Sequence, residues 1–154
     1  MSAENKIAEL GLELPPPPPP GGIYQPVVIA GNIAYVSGHG PLKNDGAYIT
    51  GRVGRELDLA DGQAAARQTG LALLSTIRQQ LGSLDRVRRL LKTLALVNST
   101  DDFTQQPQVI NGFSELFRDV FGEENGVGAR SALGTSVLPG NIPVEIELIL
   151  EIEP

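Results

Sequence analysis

The sequence predicts a single α+β domain of two layers, in which one mixed β-sheet carries two helices on one face. A chain of 154 residues with 41% hydrophobic content is long enough to bury a core and is expected to be one domain. Two long stretches have apolar residues at helical spacing, and each links segments with strand character. Helices on one face leave the opposite face of the sheet for water or for other subunits.

The first part of the chain is expected to be an N-terminal extension, residues 1–21, followed by the folded domain, residues 22–154. Residues 4–14 can form a short helix. The run PPPPPP at 15–20 imposes an extended polyproline segment, because each ring fixes φ and removes a backbone donor. A stiff spacer is expected here rather than a ligand for an SH3-type domain.

Turn signals divide the next part of the chain into strands. PVVIAGNIAYVSG at 26–38 predicts a hairpin that turns at Gly31 and Asn32. A second turn signal, KNDG at 43–46, precedes AYIT at 47–50, which is predicted as a short strand.

The main helix is predicted over residues 58–81, where Asp58 or Asp61 caps its start and Gly82 follows its end. LLKTLALVNS at 90–99 fits a strand buried on both faces, although periodicity alone leaves a helix open.

A second helix is predicted to open at Pro107 and to end at Gly122. Its apolar stripe comprises Ile110, Phe113, Phe117, Val120 and Phe121. ARSALGTSVL and VEIELILEI then read as two strands of a hairpin that turns at PGNIP (139–143). The last strand alternates, so Val144 and every second residue after it face the core while the glutamates face outward. The predicted order is β-β-β-α-β-α-β-β.

Composition excludes several kinds of site. The absence of cysteine rules out disulfides and thiolate metal sites, and a single histidine cannot build a multi-histidine metal cage within one chain. The first residues lack a signal-peptide pattern and no apolar run reaches the ~20 residues that span a bilayer, so we expect a cytoplasmic protein away from membranes. The net charge of −6, with one basic run at 86–92, argues against nucleic acid as a partner.

Common catalytic motifs are also missing. The chain has no P-loop, no dinucleotide fingerprint, no HExxH and no GxSxG. His39 stands between two glycines after a predicted strand, where it either lines a cleft or is a structural or exposed residue.

Two charges in the last two strands stand out. In the predicted hairpin, Arg130 and Glu145 lie roughly 20 Å or more apart along the ladder at ~3.3 Å per residue. They are either solvated surface charges or parts of a site that a neighbouring subunit completes.

Five short motifs, in order and at matching intervals, resemble the reactive intermediate deaminase (RidA/YjgF, endoribonuclease L-PSP-like) family. They are Tyr24 before the first strand, Gly31-Asn32 leading to Ser37-Gly38, Asn111 in NGFSELF, Arg130-Ser131 followed by Leu138-Pro139, and Val144-Glu145-Ile146-Glu147. The resemblance covers roughly residues 22 to 152. It implies a chorismate-mutase-like fold and a homotrimer with a cleft at each subunit interface.

The resemblance also implies an activity, the hydrolysis of reactive 2-imino or enamine acids to 2-oxo acids and ammonia. Arg130 would clamp the substrate carboxylate through two parallel hydrogen bonds, and Glu145 would hold and deprotonate a water. No metal or cofactor is expected, because the imine is already activated. Tyr24, Ser37 and Asn111 would orient the ligand, and His39 occupies a position that is often glutamine or another polar residue. Ala132 stands where many members have cysteine, so the substrate preference is open.

Two other functions remain open. A non-catalytic protein that binds or senses 2-oxo or amino acids would need the same clamp at Arg130. A ribonuclease is the least expected, because the chain is acidic and lacks an aromatic, basic surface. The natural substrate and the pathway are not specified by the sequence.

Overall fold

The fold is a five-stranded mixed sheet with three α-helices, described here over residues 1–154 from a computed structural model. The helices are α1 (Ala3–Glu9), α2 (Leu59–Leu81) and α3 (Gln106–Gly126). The strands are β1 (Val27–Ala30), β2 (Ile33–His39), β3 (Val87–Asn98), β4 (Ala129–Thr135) and β5 (Val144–Ile152). Their order across the sheet is β1-β2-β5-β3-β4, and only β3 and β4 pair in parallel.

The core lies between the sheet and the two long helices, as the sequence predicts. Alternate residues of β5 are buried, from Val144 through Ile152, and the residues between them are more exposed. Phe113 and Phe117 of α3 are fully buried, with ring centroids 4.3 Å apart. Burying each such apolar side chain contributes about 1.5–3 kcal/mol, so this face of α3 is firmly held against the core.

Both long helices begin and end near the predicted residues. The Asp58 carboxylate accepts a hydrogen bond from the Asp61 backbone N–H, and the Asp61 carboxylate accepts one from the Asp58 backbone N–H, which completes a capping box. Gly82 follows α2 in the left-handed region at φ 84°, where a residue without a Cβ is favoured. In α3 the backbone leaves helical geometry at Gly122, with φ 86° and ψ 167°.

The predicted hairpin of the last two strands is wrong. β4 pairs in parallel with β3, and β5 pairs antiparallel with the other side of β3, so β3 lies between them. Two consecutive strands joined by a short turn favour a hairpin locally. Here β3 is long enough to pair with β4 along one edge and with β5 along the other. The hairpin of β1 and β2 is confirmed, with Ala30 opposite Ile33 and Gly31 at φ 62°.

Two smaller predictions also differ from the structure. AYIT forms no strand, because only Tyr48 makes an isolated bridge, with Leu42. The first helix is shorter than residues 4–14, because α1 closes at Leu10 and Gly11 follows at φ 62°. None of the helices combines the length and the apolar character needed to cross a bilayer.

The N-terminal residues pack against the rest of the chain. Ala3 and Ile7 of α1 are part of the hydrophobic core. The Glu4 carboxylate accepts hydrogen bonds from Arg78 Nε and Nη2 at 3.2 and 2.6 Å, and from the Leu84 backbone N–H at 2.9 Å. The first turn of the chain is therefore fixed to the end of α2 by both apolar burial and charge.

Candidate functional site

Arg130 lies on the edge strand β4 and turns toward α3. Its Nη1 donates to Asn111 Oδ1 at 2.9 Å and to Ser114 Oγ at 3.1 Å, and its Nη2 donates to the Pro107 carbonyl at 3.4 Å. Asn111 and Ser114 are three residues apart on the helix and so present the same face to the strand. The guanidinium is thereby held in one orientation by neutral acceptors only.

The Arg130 guanidinium has no carboxylate partner. It takes part in none of the six salt bridges of the chain. It opens on a pocket of about 250 Å³, whose walls include Leu90, Thr93 and Val127. Burial lowers the pKa of Arg130, yet an arginine stays charged in proteins. The pocket therefore contains a half-buried positive charge that is not neutralised within the chain.

The close approach of α3 to α2 positions this cluster. A Cβ at Gly112 would clash with the backbone carbonyl of Gln63 on α2, so only glycine fits there. Gly112 follows Asn111 directly. The close packing of α3 on α2 therefore fixes the position from which the Asn111 side chain projects toward Arg130.

Glu145 lies on the opposite face of the sheet. Thr93 pairs with Arg130 on one side and with Leu148 on the other, so these three face the helices, whereas Glu145 faces away between the buried Val144 and Ile146. Burial, and then the neighbouring charge of Glu147, raise the pKa of Glu145. Glu145 and Arg130 are separated by two strand spacings across the sheet and three residues along it, which puts their Cα atoms ~14 Å apart. One chain therefore cannot bring both side chains to one small ligand.

The Glu145 carboxylate packs against the end of β2. A Cβ at Gly38 would lie 3.0 Å from Glu145 Cδ and Oε1, so the missing side chain of Gly38 makes room for the carboxylate. Gly38 also lines a second pocket, of about 110 Å³, together with Tyr24 and His39. Two of the predicted substrate-binding residues thus line a pocket together with Gly38, the neighbour of Glu145, and are absent from the pocket of Arg130.

His39 is buried, with 6% of its surface exposed. Its Nδ1 lies 2.7 Å from the Ser37 carbonyl, and its Nε2 lies 2.7 Å from Thr76 Oγ1 on α2. Burial lowers the pKa of His39, so the ring is neutral at pH 7. The histidine therefore ties the end of β2 to α2 while one side of it lines the second pocket.

The remaining predicted residues divide between the two clusters. Ser37 donates its hydroxyl to the Gln25 carbonyl at 2.6 Å, and the Tyr24 hydroxyl accepts from the Gly21 N–H at 2.9 Å. Ala132 is two residues beyond Arg130 on the same face of β4 and packs against the core.

The sequence prediction missed Ser114 and Tyr48. Ser114 was detectable, because it lies one helical turn after Asn111 and therefore faces the same strand. No local signal identifies Tyr48, which joins the second pocket only through the path of the loop after β2.

Comparison with known proteins identifies the family. The model of the family described as "YjgF/chorismate_mutase-like, putative endoribonuclease" matches residues 4–152. The chain belongs to this YjgF family. The matched range includes α1 and the proline run, while the boundary predicted between residues 21 and 22 stays a prediction.

Three known proteins are similar to this chain over nearly their whole length. Protein TCP17 of Trypanosoma cruzi is 40% identical over 146 residues, which are 95% of this chain and 91% of that protein. The solved structure of Atu1372 from Agrobacterium tumefaciens, a protein of unknown function, is 40% identical with a TM-score of 0.88, covering 99% of this chain and 92% of the other. A Shewanella oneidensis protein, named in the same endoribonuclease terms as the family, is 27% identical with a TM-score of 0.94, covering 99% and 100%.

Proposed function

We propose that this protein hydrolyses reactive 2-imino acids, or their enamine tautomers, to 2-oxo acids and ammonia in clefts between the subunits of a homotrimer. The observation that carries the proposal is the Arg130 guanidinium, which is oriented by Asn111 and Ser114 but has no carboxylate partner. A planar carboxylate matches the remaining donors of a guanidinium through two parallel hydrogen bonds.

The reaction needs a water and a proton acceptor beside the bound imine. The water oxygen bonds to the imine carbon, the carbon–nitrogen bond breaks, and the nitrogen leaves as ammonia while a carbonyl forms. Glu145 is suited to accept a proton of the water and to pass it to the leaving nitrogen, because its raised pKa lies nearer neutrality than that of an exposed glutamate. Both hydrogens of the water thereby end on the ammonia. The opposite-face placement of Glu145 and Arg130 supports a site that combines Arg130 of one subunit with Glu145 of another.

The experiment is an imine-hydrolysis assay in which 2-iminopropanoate is generated in situ from alanine. We expect the protein to accelerate its disappearance and the Arg130→Ala variant to lose that acceleration. Native mass spectrometry should give three times the mass of the 16.3 kDa chain. Equal rates for the two proteins, or a monomeric mass, would contradict the proposal.

A second candidate is a protein that binds 2-oxo acids without turning over imines. It is favoured by the absence of any proton acceptor beside Arg130 within one chain, since Asn111, Ser114 and the Pro107 carbonyl are neutral. Thermal protection by 2-oxobutanoate without imine hydrolysis would select this candidate.

A further inference from the structure

A buried threonine lines the pocket of Arg130 from the neighbouring strand. Thr93 on β3 is the register partner of Arg130 on β4, and both side chains point to the helix face of the sheet. Adjacent strands lie about 4.8 Å apart, so the two side chains leave the sheet next to each other. Thr93 is 1% exposed, and it shares with Arg130 the wall of the pocket of about 250 Å³.

The hydroxyl of Thr93 differs from those of the other two buried threonines. The Thr69 hydroxyl donates to a backbone carbonyl of its own helix at 2.9 Å, and that of Thr76 lies 2.7 Å from the His39 ring. The Thr93 hydroxyl takes part in no hydrogen bond of the chain. It is also not fully enclosed, because Asn98 Oδ1 is the single enclosed polar side-chain atom without a partner. The oxygen of Thr93 therefore borders the open space of the pocket.

The surroundings of the Thr93 hydroxyl make an absent partner costly. Leu90 and Val127 are the apolar side chains of the pocket, and no acidic residue lines it. The loop that contains Val127 packs directly on β3, since a Cβ at Gly128 would lie 2.6 Å from the Leu90 carbonyl oxygen. An unpaired hydroxyl in such surroundings is less stable than a methyl group of the same size. A valine would avoid that cost, so the threonine indicates a polar partner from outside the chain.

The polar side chains of the pocket are suited to donate hydrogen bonds. Asn111 Oδ1 and Ser114 Oγ both accept from Arg130, so the Asn111 amide hydrogens and the Ser114 hydroxyl hydrogen remain for other partners. An ionised carboxylate only accepts, and it has about four acceptor positions, of which a guanidinium occupies two. A carboxylate bound by Arg130 therefore has acceptor positions left for a neighbouring hydroxyl.

We propose that the Thr93 hydroxyl donates a hydrogen bond to the ligand carboxylate that Arg130 binds, and is thus a second anchor for that group. This inference rests on the proposed function, because it takes a 2-imino or 2-oxo acid as the ligand of Arg130. Contacts from two adjacent strands hold the carboxylate in one orientation, and this fixes the position of the carbon that water attacks.

The test is isothermal titration of 2-oxobutanoate into the wild type and into Thr93→Val, which exchanges the hydroxyl for a methyl group of similar size. We expect Kd to rise about tenfold, because a hydrogen bond to a charged group is lost. Thr93→Ser keeps the hydroxyl and should bind nearly as the wild type does. Thr69→Val is the matched control, because it removes a buried threonine hydroxyl that does not line the pocket, and its Kd should be unchanged. Equal Kd values for the wild type and Thr93→Val would overturn the inference.

Thermal melts without ligand separate a binding role from a structural one. Thr93→Val should melt at or above the wild-type temperature, because a methyl group replaces an unpaired hydroxyl in apolar surroundings. Thr69→Val should melt at a lower temperature, because it loses a hydrogen bond made within α2. A lower Tm for Thr93→Val would show that its hydroxyl is bonded within the folded chain, and the inference would be wrong. Thr93→Ala also lacks the hydroxyl and repeats the binding measurement if the valine variant does not fold.

Turnover of 2-iminopropanoate distinguishes failure of this inference from failure of the proposed function. If the imine is not hydrolysed but 2-oxobutanoate binds, and Thr93→Val weakens that binding, the deaminase proposal fails and the role of Thr93 stands. If the imine is hydrolysed and Thr93→Val keeps the wild-type kcat/KM, the role of Thr93 is overturned and the deaminase proposal stands. Failure of 2-oxobutanoate to bind the wild type would overturn the role of Thr93 at any rate of hydrolysis.

Discussion

Arg78 and Arg130 are both partly buried arginines held by several hydrogen bonds, yet their partners differ. Arg78 donates from two nitrogens to one carboxylate, that of Glu4, and so joins α1 to α2. Arg130 donates to an amide, a hydroxyl and a carbonyl, and so keeps its charge available. An arginine paired with a carboxylate is neutralised and serves the fold, whereas one oriented by neutral groups is prepared to bind an anion.

The strongest test of this contrast removes the unneutralised guanidinium. We expect Arg130→Lys to lower kcat/KM for imine hydrolysis by about 10²–10³-fold, because an ammonium cannot match a carboxylate with two parallel bonds. The change in Tm should be small. Steady-state kinetics and a thermal melt check both, and a lysine variant with nearly full activity would show that a point charge is sufficient.

A second test gives Arg130 a carboxylate partner within the chain, as Arg78 already has. Asn111→Asp places a carboxylate 2.9 Å from Nη1 in the geometry that Asn111 has now. We expect 2-oxo acid binding to weaken more than about tenfold, because the new ion pair competes with the ligand, while Tm stays equal or rises. Isothermal titration with 2-oxobutanoate measures the change.

Asn111→Ala is the matched control for that experiment. It removes the same hydrogen bond without adding a charge, so it should weaken binding less than Asn111→Asp does. Equal losses in the two variants would mean that Asn111 acts only by orienting Arg130.

The Arg78 side of the comparison predicts an effect on stability. Arg78→Met leaves the Glu4 carboxylate with the Leu84 N–H as its remaining partner, and we expect a loss of about 1–2 kcal/mol after allowing for solvent screening. For a domain of this size that lowers Tm by roughly 3–6 °C.

Lys6→Met provides the control for Arg78. Lys6 makes an exposed pair with Glu9 at 3.0 Å on the same helix α1, and such surface pairs contribute little. A drop in Tm as large as that of Arg78→Met would contradict the distinction between the two ion pairs.

The smallest expected effect concerns Glu145 and pH. Burial raises the pKa of Glu145 in the folded protein, so folding favours the protonated carboxyl. The contribution of Glu145 to stability therefore falls as the pH rises from its pKa in the unfolded chain, about 4.3, through its raised pKa in the folded protein. Glu145→Gln should therefore stabilise the protein at pH 7 by less than about 1 kcal/mol, given the partial exposure of the group. The difference in Tm should vanish below pH 4.

Glu147→Gln tests the second cause of the raised pKa of Glu145. Removing the neighbouring charge should shift the acid limb of the kcat/KM profile to lower pH, by less than about one unit. An unmoved limb would mean that Glu145 is not the group whose ionisation the reaction requires.

Local sequence patterns were sufficient to place the helices and most strands. The capping residues Asp58 and Asp61, the left-handed Gly82 and the alternation of β5 act over a few neighbouring residues, so the same physics operates in the sequence and in the fold. The matched motifs likewise singled out Arg130 and Asn111, which the structure brings into contact.

The partners of β4 and β5 were decided only by tertiary structure. Alternation shows which face of a strand is buried but not which strand lies beside it, so the sequence favoured a hairpin where β3 intervenes. With β3 between β4 and β5, Arg130 lies on the helix face of the sheet and Glu145 lies on the opposite face. The hydrogen bond from Ser75 to Pro15 likewise joins residues 60 positions apart. Such pairings depend on the whole packed chain, because hydrogen bonding and burial between distant segments are satisfied only once every layer is in place.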